Sequence, residues 1–168
     1  MDPHLKQLQE EIELVTAGLS AEELSWHPAG KWCAAEILEH LYLTYTGTVK
    51  GFERVAAAGK TLATGPTVRQ RGRRWVVLGL GYLPSGREAP SFARPRGLPQ
   101  EKVLGEIQSK IGEMDEMIRQ CEAKLGARSN LLDHPILGPL TGSEWRKFHL
   151  VHGRHHVKQI RRLREGAL

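Results

Sequence analysis

"FHLVHGRHHVKQIRRL", residues 148–163, holds four of the chain's eight histidines, His149, His152, His155 and His156. Apart from Gly153 nothing in it opposes a helix. On a helical wheel His152 and His156 fall on the stripe that carries Trp145, Phe148 and Leu163, and His149 and His155 flank that stripe at about 60° to either side. Two histidines at i, i+4 point the same way one turn apart, a spacing that lets both imidazoles reach one metal ion. The competing reading is a basic helix with hydrogen-bonded core histidines. Two polar rings on one apolar stripe make that reading harder, because each must be satisfied where it is buried.

Helical periodicity continues outward from this stretch. Thr141 and Glu144 form a capping-box pattern, so the fourth long helix is expected over 142–165. Leu5, Leu8, Ile12 and Val15 mark a first helix over 3–18, begun by Pro3. Ser20 with Glu23 caps a short turn of helix after it. Ile37, Leu41, Thr44, Thr48, Phe52 and Val55 give the inner stripe of a second helix over 33–58, which Gly59 ends. Val103, Ile107, Ile111, Met114, Ile118 and Cys121 do the same for a third, from Pro99 to Gly126. The segment between, 60–98, contains Pro66, Pro84, Pro90 and Pro95 and has no sustained period, with at most a short helix around 74–79. No alternating strand pattern of useful length occurs, and 127–140 reads as a loop. The pattern predicts an all-α fold: an antiparallel four-helix bundle with a long crossover between the second and third helices, as a single domain over 1–168.

With 40% apolar and 26% charged residues, the chain has the balance of a globular protein and not of a disordered one. The longest apolar stretch, "WVVLGLGYL" at 75–83, is too short and glycine-rich to span a membrane. The acidic, amphipathic start is not a signal peptide. Cys33 and Cys121 form no CxxC pair, so no thiolate zinc site is expected, and a cytoplasmic location with free thiols is the default. Net charge is +5 overall, yet residues 50–99 hold ten Lys/Arg against Glu53 and Glu88. The positive charge therefore belongs to the middle segment. Its "VRQRGRRW" next to Trp75 offers a nucleic-acid or anion-binding alternative, weak without a nucleic-acid fold.

A bundle site needs a ligand from a facing helix. His40, between Ile37 and Leu41, supplies one, whereas His27, His134 and His4 sit in loops or near the terminus. Three neutral imidazoles, His40, His152 and His156, leave coordination positions open, and their chemistry favours zinc or nickel over magnesium or calcium. Gln159 lies one turn beyond His156 on the inward side. It is expected, with one of His149 or His155, to support a ligand or line the pocket. Cys33, nearly two turns before His40, is a poor nucleophile for such a site.

"WHPAGKWCAAEILEHL", a histidine in the second helix and "LTGSEWRKFHLVHGRHHVKQI", in this order over about 10–163, resemble the DinB/YfiT-like superfamily. The resemblance implies a four-helix bundle with a divalent metal held by three histidines, one on the second helix and an HxxxH pair on the fourth. Here these are His40, His152 and His156, with Gln159 at the glutamine that follows the last ligand. It also implies thiol-dependent transferase or isomerase chemistry with a low-molecular-weight thiol such as bacillithiol or mycothiol. A small-molecule substrate is expected, with nucleic acid unlikely as a partner. A homodimer is the expected assembly, with the basic loop and the apolar "WVVLGLGYL" as a candidate contact; the alternatives are that Trp75, Val77, Leu78, Leu80 and Tyr82 pack back over the bundle, and that the protein binds metal without catalysis, as an interaction module. The Arg-rich stretch is foreign to that pattern and leaves open whether the site is open or covered.

Overall fold

A computed structural model of the chain describes residues 1–84 and 88–166. Arg87, counted above in the basic segment, and residues 167–168 lie outside the described residues. Among these are six α-helices, a π-helical turn, a 3-10 turn and two short strands. Side-chain caps set most helix starts. Asp2 accepts the His4 amide and Pro3 fills the first position of α1 (Pro3–Thr16). The Ser20–Glu23 box opens α2 (Ala21–Ser25), and the Glu36 carboxylate accepts the Cys33 amide at the start of α3 (Ala34–Ala58). Gly59, at φ 62°, lets the chain leave α3 in a left-handed turn that a side chain would oppose.

The crossover departs from the sequence expectation. The short helix expected around 74–79 is present as a helical turn, but the helix starts earlier, as α4 (Val68–Arg74), because Thr67 and Gln70 form a capping box that the proline content concealed. It runs on as a π-helical turn, Trp75–Gly79, and a 3-10 turn follows at Ser91–Ala93. Next come α5 (Gln100–Leu125), a hairpin of β1 (Leu132–His134) and β2 (Gly138–Leu140), and α6 (Gly142–Gly166) behind the expected Thr141–Glu144 box. The hairpin replaces the loop read from the sequence. Three-residue strands are too short to show alternation, and the turn closes because His134 Nδ1 accepts the amides of Ile136 and Leu137 at 3.1 and 3.2 Å.

Helix directions follow from the contacts. Arg146 lies near Asp2, Arg154 pairs with Glu11 and Arg164 donates to the Val15 carbonyl, so α1 and α6 run the same way. Tyr42 donates to Glu106 and the Cys121 thiol to the Phe52 carbonyl, so α3 and α5 do too. Asp2 with Asp115 and Gln9 with Gln108 oppose α1 to α5, and His40 with His152 and Thr48 with His149 oppose α3 to α6. An antiparallel arrangement throughout, as expected, is therefore not what the contacts give: opposition holds between the two pairs and not within them. The cause is the crossover, which carries the chain back along α3 before α5 begins. One contiguous apolar core joins residues of all four long helices. Buried Arg146 bonds Asp115 and Glu122 and ties α5 to α6 at one end of it.

α1 packs closely on α6 at Gly153, where a Cβ would lie 2.2 Å from Leu8 Cδ1. Leu8 is fully buried and has no solvent to turn into. Gly153→Val should therefore destabilise the fold by about 1–3 kcal/mol through overpacking. A lowered urea midpoint with an unchanged slope checks this, and an unchanged midpoint would show that the helices can part at no cost.

Candidate metal centre

Because α3 and α6 run in opposite directions, the early turns of α3 face the later turns of α6. His40 thereby meets His152 and His156. The Nε2 atom of His152 lies 3.2 Å from that of His40 and 3.2 Å from that of His156. Ligand atoms of all three residues fall within 4.8 Å of one another, and all three side chains are buried. His40 Nδ1 is 2.7 Å from the Ala93 carbonyl, which can only accept, so the proton sits on Nδ1 and Nε2 carries a lone pair. His156 Nδ1 is likewise 2.8 Å from Gln159 Oε1, which leaves its Nε2 bare as well. Burial holds these rings neutral: it lowers the pKa of His40, and it pushes His156 to about 3, helped by the neighbouring His40.

This donor set fits a divalent cation. Two bare lone pairs point at the same spot as His152 Nε2, and one proton on His152 could serve only one of them well. Nitrogens bound at 2.0–2.1 Å to a tetrahedral ion stand about 3.3 Å apart, close to the 3.2 Å that His152 Nε2 keeps from each of the other two. His152 Nδ1 is buried with no hydrogen-bond partner among the described residues, so no protein group fixes its tautomer against a cation. Phe148 stacks on His152 with ring centroids 5.4 Å apart, and Trp32 packs on His40 at 5.3 Å. Beyond the rings a cleft of about 1910 Å³ opens, walled by Trp26, Trp32, Tyr82, Phe92, Ile136 and Phe148.

The flanking histidines separate into two roles. Gln159 Nε2 is 3.2 Å from His155 Nε2, and His155 lines the cleft. His149 is fully buried in the core instead, 3.1 Å from the Thr48 hydroxyl and stacked on Trp145. His134, read as a weak loop residue, is buried in β1 and holds the hairpin turn. Cys33 and Cys121 are buried, and burial raises both thiols, so neither is an activated nucleophile. His27, Cys33 and Glu36 form a second group of metal-ligand type. There Glu36 is engaged in capping α3 and the positive end of the helix opposes a cation.

Sequence reasoning missed the Ala93 carbonyl, since a backbone acceptor has no residue signature. It also missed Glu39, a buried carboxylate beside His40. Its two oxygens accept the amides of Arg96 and Gly97 at 2.8 and 3.1 Å and so strap the end of the crossover across α3. Among the described residues, the parts of the crossover that line the site are 80–84 and 88–93, not the Arg-rich α4. Arg74 instead bonds the Pro139 carbonyl and Glu144 at the opposite end of α6.

Over residues 1–163 the chain matches the model of a family described as "Protein of unknown function (DUF1569)". The chain belongs to the DUF1569 family. That match takes in all three histidines, Gln159 and Glu39. No curated protein and no solved structure matches this DUF1569 chain.

Two outcomes test the site's build. Glu39→Gln puts an amide donor against a backbone N–H. It should cost about 1–3 kcal/mol and speed hydrogen exchange at Arg96 and Gly97, with protection unchanged if the strap is held otherwise. Burial pushes His134 to about 4 and His149 to about 3 from the ordinary 6.5. Between those values the unfolded chain binds protons that the folded one does not, so stability rises with pH. It is fully present above about 6.5 and falls by about 1.4 kcal/mol per pH unit for each of the two groups as the pH drops toward 4. Denaturant midpoints of the metal-free protein that stay flat from pH 7 to 5 would contradict neutral burial.

Proposed function

We propose that His40, His152 and His156 hold a divalent cation, zinc or nickel, in a four-helix bundle of the DinB/YfiT-like kind. The protein is then a metal-dependent enzyme acting on a small molecule in the cleft, of the thiol-dependent transferase, isomerase or hydrolase type. The observation that carries this reading is the convergence of three buried Nε2 atoms, two of them stripped of their proton by fixed acceptors. The sequence likeness and the paired, opposed helices support the bundle assignment. When bound, a divalent ion with positions open to the cleft supplies Lewis acidity that makes a thiol or water nucleophilic at neutral pH.

The chain's own residues do the rest. The Ala93 carbonyl and Gln159 orient His40 and His156 and keep their lone pairs inward. Phe148 and Trp32 cover the rings and exclude water from one side. Neutral imidazoles present no proton to be displaced at pH 7. Among the described residues, no Ser–His–Asp arrangement and no lowered cysteine stands beside the triad, so the reading takes its nucleophile from outside the chain. A low-molecular-weight thiol fits that need, and a homodimer in the cytoplasm is the working assembly. Among the described residues, no helix is long and apolar enough to cross a membrane.

Elemental analysis of protein purified without an affinity tag tests the reading. About one equivalent of zinc or nickel per chain is expected. His152→Ala should lose both metal and activity, whereas Cys33→Ala should keep its metal and most of its activity. A Cys33→Ala protein that is inactive with normal metal content would replace this mechanism by covalent cysteine chemistry.

A further inference from the structure

The charges that line the cleft are not evenly placed. At the end away from the triad, Lys50 and Arg54 of α3 lie with Glu53 and Asp133, and the charges offset one another. Arg154 also lines the cleft but is paired with Glu11, and Glu88 is paired with Arg94. The end beside the triad is different. Lys31, Lys158 and Arg162 line it, and no ion pair engages any of the three among the described residues. His155, Lys158 and Arg162 are spaced i, i+3, i+7 and so share one face of α6. The positive charge of Lys158 and Arg162 reaches His155.

Hydrogen bonding adds a donor to this row. With the proton of His156 on Nδ1, Gln159 Oε1 accepts it and Gln159 Nε2 donates to His155 Nε2. The neutral His155 ring then carries its own proton on Nδ1, which has no acceptor among the described residues. Cations in the last turn of a helix also answer the helix dipole, but that effect fades within about one turn and does not account for Lys158 or Lys31. Beside these cations the wall is aromatic, with Trp26 and Trp32 on the α2–α3 connection.

From this juxtaposition we infer that the cleft takes an organic anion: its charged group on Lys158, Arg162 and Lys31, its apolar or aromatic body against Trp26 and Trp32, and its reacting end at the triad. Arg162 lies six residues beyond His156, which sets the charged group about 9 Å along α6 from the last imidazole. The inference deepens the metalloenzyme reading and rests on it for the position of the reacting end. The anion subsite itself is built only from the chain.

A matched pair of thiols tests it, 4-(mercaptomethyl)benzoate and its methyl ester, which share the aromatic body and differ in charge. Both are titrated calorimetrically into cobalt-loaded and metal-free protein. The acid should bind at least roughly ten-fold tighter than the ester in both forms, as a charge-assisted contact gives. Lys158→Met with Arg162→Met should abolish that preference while cobalt content and the ester's affinity stay unchanged. Equal binding of acid and ester, or a preference that survives the double substitution, overturns the anion subsite, as does failure of the acid to bind either form. A wild-type protein that takes up no cobalt yet keeps the acid preference when metal-free overturns the metal reading and leaves the anion subsite standing.

Discussion

The hydrogen bond from His40 Nδ1 to the Ala93 carbonyl joins the two halves of this molecule's design. On one side it fixes which nitrogen of His40 is bare, and so what the triad can bind. On the other it anchors the crossover to α3. That anchoring answers a topological need. α3 has 25 residues and spans about 38 Å, and α5 runs in the same direction beside it. The chain must therefore travel back the whole length of α3 before α5 can start. The crossover makes that return. Its end is held by Glu39, which takes two backbone amides one residue before His40 in the sequence. Consecutive residues of α3 thus serve the backbone of the crossover and the histidine triad, and the covering of the site follows from the return path.

Burial of so many imidazoles sets the energetic terms. A buried neutral ring must satisfy one donor and one acceptor or lose about 1–3 kcal/mol for each that fails. His40 and His156 spend their donors on Ala93 and Gln159, and their acceptors turn on each other through His152. In His149 the Thr48 hydroxyl, which itself donates to the Thr44 carbonyl at 3.1 Å, is left to accept from the ring. Its Nδ1 has no partner among the described residues, and neither does the hydroxyl of Tyr45, whose ring lies edge-on 5.5 Å away. A core that tolerates such costs next to three converging Nε2 atoms is one in which packing, rather than polarity, sets the position of α6.

Much of this was legible in the sequence for a simple reason: helices announce themselves at short range. The stripes of α1, α3, α5 and α6, the Ser20 and Thr141 boxes and the i, i+4 spacing of His152 and His156 depend on neighbours within two turns. What was not legible depends on partners far along the chain. The shared direction of α3 with α5 is set by where the crossover lands. Ala93 contributes a carbonyl that any residue has. Glu39 carried no signal because its acceptor role needs two amides more than fifty residues away. The Thr67–Gln70 box was within reach of the same rules that found the other two, but prolines and glycines around it outweighed it.

The four histidines of the opening stretch show how far wheel geometry goes. His149 and His155 were equivalent there, one on each edge of the stripe. Packing breaks the tie. The His149 edge turns into the α3 contact at Thr48 and Tyr45, where Trp145 stacks on the ring and closes off solvent. The His155 edge turns toward the cleft, because the α2–α3 connection with Trp26 and Trp32 stands back from α6 there and leaves room. Gln159 then reaches both His155 and His156 from one side chain. It thereby links a ring at the triad to a ring on the cleft wall, so the proton position of one imidazole is set by the other through a single amide.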